Sequence, residues 1–319
     1  MRRFPLKRAL EWARFLRANH KAGEACYPFY ASFKITHRCH FRCRFCNVWM
    51  EKTRDVSTEE AFRILDNLGT SSVFLLTIEG GEPLLREDLG EILRVAYTKP
   101  FYILMVTSAH DLTEYPMREY CRTIDFLHIS IDEGHDNLEL LDGLETFRTW
   151  GSDVCVQIVV RAQDLEKLED KVTRCCEAGV KALVMPAVHL DHTRNYFPET
   201  RMFVRTCAEL KRRYPWTVIT PMGYLERIQR AHGCSASSII VDSDGGLFYP
   251  CRTLGKKPVN LLDTQLMDFI ASQDAAALRE VMAHCDRRCG WYQYFATDSF
   301  ASFREAGSAI HPYLKNVLR

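Results

Sequence analysis

The sequence has no apolar stretch long enough to cross a membrane, and its first residues lack the long apolar core of a secretory signal peptide. Its net charge at pH 7 is only +1, so it lacks the basic surplus that general nucleic-acid binding needs for counterion release. Low-complexity segments are also missing. These absences predict a cytoplasmic protein with no transmembrane segment and no nucleic-acid partner.

Cysteine, in contrast, is abundant. The 319 residues include 13 cysteines, an odd number, and seven of them stand in groups typical of metal sites. This favours a reducing compartment rather than a disulfide-bonded protein. The other six are expected to be mostly buried small hydrophobic residues: Cys26, Cys121, Cys155, Cys175, Cys176 and Cys207.

The first group lies in one short loop and consists of Cys39, Cys43 and Cys46. This spacing lets the loop wrap an iron–sulfur cube while giving it only three thiolates, so one iron is left without a protein ligand. An iron of this kind can bind a small molecule and take part in its chemistry. The alternative is a zinc site, completed by His37 or His40.

A second motif follows about forty residues later, where an apolar run ends at Gly80-Gly81-Glu82-Pro83. Paired glycines allow a close approach of the backbone to a ligand, because no Cβ atom stands in the way. Pro83 stiffens the exit of the turn, and Glu82 is placed as a fixed acceptor for an ammonium group.

Together, the cysteine loop and the glycine–glutamate turn resemble the radical S-adenosylmethionine (radical SAM) superfamily, from about Ala31 to His189. The resemblance implies that the three cysteines of the loop bind a [4Fe-4S] cluster whose open iron chelates the amino and carboxylate groups of SAM. It also implies that Gly80, Gly81 and Glu82 hold the amino end of the methionine. Phe45 would pack on the adenine, as an apolar ring suits a flat base.

The hydrophobic pattern predicts an α/β fold. Six short runs rich in Val, Ile, Leu and Phe alternate with helix-length polar segments, which is typical of a parallel sheet covered by helices. The runs are Ala31–Thr36, Val73–Ile78, Phe101–Thr107, Phe126–Ile131, Val154–Val160 and Ala182–Met185. Six units are too few for a closed eight-stranded barrel, so we expect an open, partial (β/α)6 barrel of the TIM type, and the resemblance implies the same fold.

Local signals refine this picture. Ser57-Thr58-Glu59-Glu60 has the form of a capping box, and Asp164 is predicted to begin another helix. Residues 195–214 are predicted to form a helix and residues 216–220 a strand. We expect three parts: a basic helical extension (1–28), the barrel (29–220) and a small α+β cluster domain (221–319).

Several polar side chains follow the predicted strands, at the edge where parallel α/β folds carry out their chemistry. Ser108, Ser130 and Asp132 are candidates for contacts with the SAM ribose. Arg161 is a candidate clamp for a carboxylate of SAM or for an anionic substrate group. Arg161 or His189 could help a proton leave. The alternative for these residues is a structural role, as a cap at the end of a strand or in an ion pair or hydrogen bond at the surface; it applies to Ser108, Ser130, Asp132 and Arg161.

The second cysteine group is C-terminal. Cys234 and Cys251 flank a predicted β-hairpin, and Cys285 and Cys289 follow a helical stretch, so four thiolates could converge. Such a set suits zinc equally well. The arrangement resembles the twitch domain, a shortened SPASM domain, which implies an auxiliary [4Fe-4S] cluster.

The N-terminal extension carries seven basic residues against one acid, Glu11, within its first twenty-one positions. It is predicted to be a helix docked on the barrel. The alternative is a basic amphipathic helix in peripheral contact with an anionic membrane, which keeps a lipid-linked substrate under consideration.

The resemblance implies an enzyme that cleaves SAM reductively to a 5′-deoxyadenosyl radical, which abstracts a hydrogen atom from the substrate. Net oxidation is expected, by dehydrogenation or bond formation, with help from the auxiliary cluster and a reductant such as flavodoxin or ferredoxin. The substrate is open: a small molecule, a lipid-linked molecule or a peptide. The alternatives are a maturase of ribosomally made peptides, and a non-catalytic iron–sulfur or zinc protein.

Overall fold

A computed structural model describes residues 6–108, 110–188, 193–230 and 234–296. Its centre is a nine-stranded sheet in the order β6-β5-β4-β3-β2-β1-β7-β8-β9. The strands are β1 Tyr30–Thr36, β2 Leu75–Gly80, β3 Tyr102–Thr107, β4 Phe126–Ser130, β5 Asp153–Val160, β6 Lys181–Pro186, β7 Ser238–Val241, β8 Gly246–Phe248 and β9 Val259–Asn260.

The first six strands are parallel and adjacent in chain order, as predicted. One face of each strand is fully buried against the helices, as Ala31, Phe33 and Ile35 of β1 illustrate with no solvent exposure. The alternate residues point to the other, inner face, because side chains of a strand alternate between its two sides. The α/β class and the parallel sheet are therefore present.

Eleven α-helices occur in the described ranges. They are α1 Leu6–Ala22, α2 Thr58–Gly69, α3 Leu89–Thr98, α4 Met117–Tyr120, α5 Leu144–Phe147, α6 Leu168–Glu177, α7 Thr200–Arg213, α8 Met222–Gln229, α9 Leu266–Ile270, α10 Gln273–Ala283 and α11 Tyr292–Ala296. Of the residues described, none lies in a helix long and apolar enough to span a membrane.

Helix α2 begins where the sequence predicts. The Ser57 hydroxyl accepts a hydrogen bond from the Glu60 amide at 3.2 Å, and the Glu60 carboxylate accepts one from the Ser57 amide at 2.9 Å. This reciprocal pair is a capping box, which satisfies two amides at the helix start. The buried face, with Ile64 and Leu65, then packs in the core.

Two local predictions are wrong. Asp164 does not begin a helix: it lies within a 3₁₀ turn, and its carboxylate pairs with Arg161 instead. Residues 216–220 do not form a strand, since only Val218 makes a single parallel bridge, to Ala182 of β6. The predicted helix 195–214 is shorter than expected, because a 3₁₀ turn precedes α7.

The predicted C-terminal hairpin is present as β7 and β8, and it joins the barrel sheet. Strand β7 pairs in parallel with β1, from Tyr30 opposite Ser238 to Phe33 opposite Val241. The C-terminal region therefore sits beside the strand that leads into the first cysteine loop. The predicted division of the chain near residue 220 remains a prediction.

Helix α1 is docked at the amino ends of the strands. The buried Arg8 guanidinium donates to the carbonyl oxygens of Ser71 and Val73, both at 2.8 Å, and to that of Pro100 at 3.0 Å. Asn19 exchanges two hydrogen bonds of 2.8 Å with the backbone of Tyr27. At least one basic residue of the extension thus serves attachment to the barrel.

Candidate cofactor site

The glycine–glutamate turn lies directly on the backbone that leads into the first cysteine loop. The Gly81 amide donates to the Thr36 carbonyl, and the Glu82 amide donates to the Arg38 carbonyl, both at 2.8 Å. A Cβ atom on Gly80 would lie 2.2 Å from the Thr36 carbonyl oxygen, and one on Gly81 would lie 2.3 Å from that of Arg38. Both glycines are therefore required by contact with the backbone of Thr36 and Arg38, a reason that cannot be seen in the sequence alone.

The three thiols of the loop are neighbours. Burial, with a smaller contribution from the adjacent thiols, raises the pKa of Cys39 to about 11 and that of Cys43 to about 12. Burial also raises the pKa of Cys46, while the nearby positive charges of Lys34 and Arg252 act in the opposite direction. Three sulfur donors on one short loop fit an iron–sulfur cluster that takes three protein ligands.

His37 is not available to complete a zinc site in this arrangement. Its Nε2 lies 2.5 Å from an Asp242 carboxylate oxygen, and its Nδ1 lies 3.2 Å from the Val48 carbonyl oxygen. Both ring nitrogens are thus engaged in contacts between the cysteine loop and the C-terminal hairpin. His37, Glu51 and Asp242 lie close enough to share a cation, yet their contacts with each other and with Lys257 account for them.

Glu82 is fully buried where β2 and β3 end. Its carboxylate accepts hydrogen bonds from the Thr107 hydroxyl at 2.8 Å, the Ser108 amide at 2.9 Å and the Leu84 amide at 3.1 Å. Burial raises the pKa of Glu82, and these donors only partly offset that effect. The structure brings Glu82 and Ser108 together, and Glu82 also lies near Cys39.

Asp132 holds the loop after β4. Its buried carboxylate accepts from the backbone amides of Gly134 at 2.9 Å and Val159 at 3.0 Å, and it contacts the His135 ring at 3.0 Å. Burial alone would raise the pKa of Asp132, but the His135 ring and the backbone amides that donate to the carboxylate together outweigh it, and the pKa is lowered. The His135 ring in turn meets the Phe45 ring edge-on, with centroids 5.3 Å apart.

Sequence reasoning missed His135 and also Asn137, although both follow the Ser130–Asp132 segment that it selected. The buried Asn137 amide donates to the carbonyl oxygens of Ser130 at 2.8 Å and Ser108 at 3.1 Å, so it ties the ends of β3 and β4 together. A polar residue a few positions after a predicted strand end was the available signal.

Arg161 pairs with Asp164 across one turn. Burial acts to lower the pKa of Arg161, but Asp164, together with the smaller contributions of Asp132 and Glu133, outweighs it, and the pKa is raised. The guanidinium therefore lies on the same side of the site as Asp132. His189, the other candidate for proton transfer, lies outside the described residues.

In the second cysteine group, three thiols are neighbours. Cys251 and Cys289 are buried and Cys285 is half-buried. Burial, with smaller contributions from the thiols of Cys251 and Cys285, raises the pKa of Cys289 to about 11. Cys234 is half-buried and follows residues 231–233, which are outside the described ranges.

An ion pair connects the two cysteine groups. Arg252, which follows Cys251 directly, pairs with Glu51, five residues after Cys46. The Arg252 guanidinium also lies 5.8 Å from the centroid of the Trp291 ring. The two groups are thus held by one set of contacts.

A cavity of about 450 Å³ lies on the inner face of the sheet. Its polar lining includes Glu79, whose Oε1 accepts from Lys34 Nζ at 2.9 Å and from the Ser32 hydroxyl. Burial would raise the pKa of Glu79, but Lys34, Ser32 and the charge of Arg252 together outweigh it, and the pKa is lowered. The rest of the lining is mainly apolar and aromatic, as ligand pockets usually are.

Comparisons with known proteins agree with this architecture. The model of the radical SAM superfamily matches residues 33–204, more than half of the chain. PqqA peptide cyclase of Granulibacter bethesdensis is 26% identical over 247 residues, which cover 69% of this chain and 66% of that protein, slightly under two thirds of its length.

Two solved structures share the fold at low sequence identity. SuiB of Streptococcus suis bound to S-adenosylmethionine has a TM-score of 0.65 at 16% identity, covering 84% of this chain and 71% of that one. The anSMEcpe structure with bound AdoMet and the Cp18Cys peptide has a TM-score of 0.64 at 15% identity, covering 91% and 98%. The predicted α/β partial barrel is confirmed.

Proposed function

This chain belongs to the radical SAM superfamily, and from that premise we propose that it is an enzyme that cleaves SAM reductively and abstracts a hydrogen atom from a substrate. Membership in the superfamily implies a [4Fe-4S] cluster and SAM. The observation that carries the proposal is the group of three neighbouring thiols on one loop, joined by backbone hydrogen bonds to the Gly80-Gly81-Glu82 turn.

Cys39, Cys43 and Cys46 would hold the cluster, since their thiols lie together and suit iron. With cluster and cofactor bound, the site would supply the electron that cleaves SAM and leaves a 5′-deoxyadenosyl radical to take hydrogen from the substrate. Glu82, already aligned by donors from β3, would orient the methionine ammonium. Phe45 would pack on the adenine, with its ring braced by His135.

Other residues would order the surroundings. Asp132 fixes the loop that carries His135, and Asn137 fixes the ends of β3 and β4 beside Ser108 and Ser130, so the ribose would meet a pre-formed wall. Arg161 would present its charge to a carboxylate. The apolar lining of the cavity would exclude water and competing hydrogen donors from the radical.

We further propose net oxidation as the outcome, by dehydrogenation or bond formation. The neighbouring thiols of Cys251, Cys285 and Cys289 support an auxiliary cluster, with Cys234 as its fourth ligand. A protein reductant such as flavodoxin or ferredoxin would supply the first electron.

A peptide is the substrate class that we propose. The similarity to PqqA peptide cyclase supports it, and so does a largely apolar cavity of a size that could admit a bulky side chain. We therefore prefer modification of a peptide over oxidation of a small molecule or a lipid-linked molecule.

The test is anaerobic turnover of reconstituted protein with SAM and dithionite. We expect 5′-deoxyadenosine from the parent protein, and none from Cys43→Ala. Cys175→Ala, which removes a buried thiol of α6 that belongs to neither group, is the matched control and should retain cleavage. Equal cleavage by Cys43→Ala would show that the ligand assignment is wrong.

Iron and sulfide analysis separates the two groups of thiols. Cys289→Ala is expected to lower the iron content by the amount held in about one cluster, while the cluster bound by the first cysteine group is retained. Unchanged iron in this variant would remove the auxiliary cluster from the proposal.

A further inference from the structure

The cavity on the inner face of the sheet has a floor made by helix α1. Trp12 of this helix lines the cavity, and its ring packs against those of Phe29 and Phe74, with centroids 5.1 and 4.9 Å apart. The helix is held there by the three backbone hydrogen bonds of the buried Arg8. A helix from outside the β/α units therefore supplies part of the pocket wall.

Next to Trp12 lies a row of four aromatic rings, each at the first residue of one of the strands β1 to β4 or at the residue before it. Phe29, Phe74, Tyr102 and Phe126 follow one another across the sheet, with centroid separations of 5.1, 5.4 and 6.0 Å. In a closed TIM barrel, layers of side chains fill the interior. Here the aromatic row fills only the base, and the space above it is open.

The polar end of the cavity is at Glu79. Glu79 lies four positions beyond Leu75 in β2, so at about 3.3 Å per residue the aromatic base and the polar end of the cavity are about 13 Å apart along the strand. Among the residues that the structure describes, Glu79 Oε2 has no hydrogen-bond partner, because Lys34 and Ser32 both use Oε1. Glu79 also contributes to the electrostatic surroundings of Cys46, which puts this end toward the first cysteine loop.

We propose that this cavity receives a bulky apolar side chain of the substrate peptide, and that Trp12 sets how deep the side chain can reach. A backbone or side-chain N–H or O–H group of the peptide would donate to Glu79 Oε2, which would hold the reacting carbon near the cofactor end. This inference rests on the proposed function, since it names the part of the substrate that enters the site. Trp12 is then a specificity-determining residue, although it lies at the end of the barrel opposite the cofactor site.

The test measures binding of N-acetyl amino acid amides with unbranched side chains of three to twelve carbons. Calorimetry is done anaerobically on the cluster-loaded protein with SAM and without dithionite, so that no turnover occurs. Affinity is expected to rise by up to about fourfold per added methylene, as burial of one such group predicts. The rise should stop at the length at which the chain meets Trp12.

Trp12→Ala should move that stopping point by two carbons or more, because the floor is lowered. Trp12→Phe keeps an aromatic ring on Phe29 and Phe74 and should move it by less. Phe15→Ala is the matched control, since Phe15 lies on the same helix but packs on Tyr27, 5.0 Å away, and is not part of the cavity lining. A gain of binding for longer probes cannot arise from loss of folding.

An unchanged stopping point in both Trp12 variants would overturn the proposal, and so would an affinity that does not rise with chain length. The function itself is scored separately, by 5′-deoxyadenosine formation after addition of dithionite. If the probes bind as expected but SAM is not cleaved, the proposed function is refuted and the proposed role of Trp12 stands. If SAM is cleaved but Trp12→Ala does not change the probe length at which affinity stops rising, only the proposed role of Trp12 is refuted.

Discussion

Replacing Arg86 by Met should cost about 3–5 kcal/mol of the free energy of unfolding. The Arg86 guanidinium is 5% exposed and donates to the carbonyl oxygens of Ile35 at 2.8 Å and Val56 at 3.0 Å. Each buried carbonyl left without a donor costs about 1–3 kcal/mol. Two further bonds, of 2.7 and 2.6 Å, join Arg86 to the partly exposed Asp88 and add about 1 kcal/mol or less.

This loss is a large share of a typical stability of about 5–15 kcal/mol. The matched control is Arg94→Met, the same substitution on α3, where the guanidinium is 59% exposed and 3.9 Å from Glu119. The control should cost about 0.5 kcal/mol or less. Anaerobic urea unfolding of the parent and the two variants, prepared with equal iron content, measures the difference.

The pH dependence adds a second readout. The hydrogen bonds from Arg86 lower the pKa of Asp88, so this carboxylate stabilises the fold at pH values above its unfolded pKa, near 4. That contribution is lost as the pH falls through the folded pKa. The gap between the parent and Arg86→Met should therefore narrow below about pH 4. An Arg86→Met variant no less stable than Arg94→Met at neutral pH would refute the reasoning.

Three further outcomes are expected. Burial lowers the pKa of His128 to about 4, so on acidification this histidine is protonated in the unfolded chain before it is protonated in the folded one. The free energy of unfolding of the parent should therefore fall by about 2 kcal/mol between pH 7.5 and 5, and that of His128→Gln should not show this loss. Equal losses for the two proteins in urea titrations would contradict this. Gly81→Ala should lower the free energy of unfolding by about 1–3 kcal/mol and reduce iron loading, because the new Cβ atom would lie 2.3 Å from the Arg38 carbonyl oxygen. The control is Gly90→Ala on α3, whose Cβ atom would meet only a side chain, at 3.4 Å; it should be neutral or stabilising. Asn67→Ala should cost about 3 kcal/mol, since its buried amide makes three hydrogen bonds to the backbone of the C-terminal region; a thermal midpoint within 2 °C of the parent would be evidence against that contribution.

The six barrel strands could be predicted from the sequence because each is a short apolar run bounded by polar segments. The capping box at Ser57 could also be predicted, since its two partners, Ser57 and Glu60, lie within four residues of sequence. Residues 216–220 misled the prediction, because apolar residues there pack into the core without a ladder of hydrogen bonds, and only Val218 makes a bridge.

Long-range contacts could not be predicted in the same way. Hydrophobic periodicity identifies a hairpin at 238–248 but not its pairing with β1, some two hundred residues earlier. Arg86 and Asn137 bind backbone carbonyls far from them in the chain, and nothing in their local sequence marks these partners. The role of Trp12 depends on where α1 docks, which only the structure shows.

The pairing of β7 with β1 has a consequence for synthesis on the ribosome. Strand β1 is synthesised about two hundred residues before β7, the neighbour that covers one of its edges and begins only after residue 237. Until then a strand with buried, apolar side chains presents open amides and carbonyls, the kind of edge that recruits other chains. Nascent chains halted before that point are therefore the species in which aggregation and chaperone capture should be greatest.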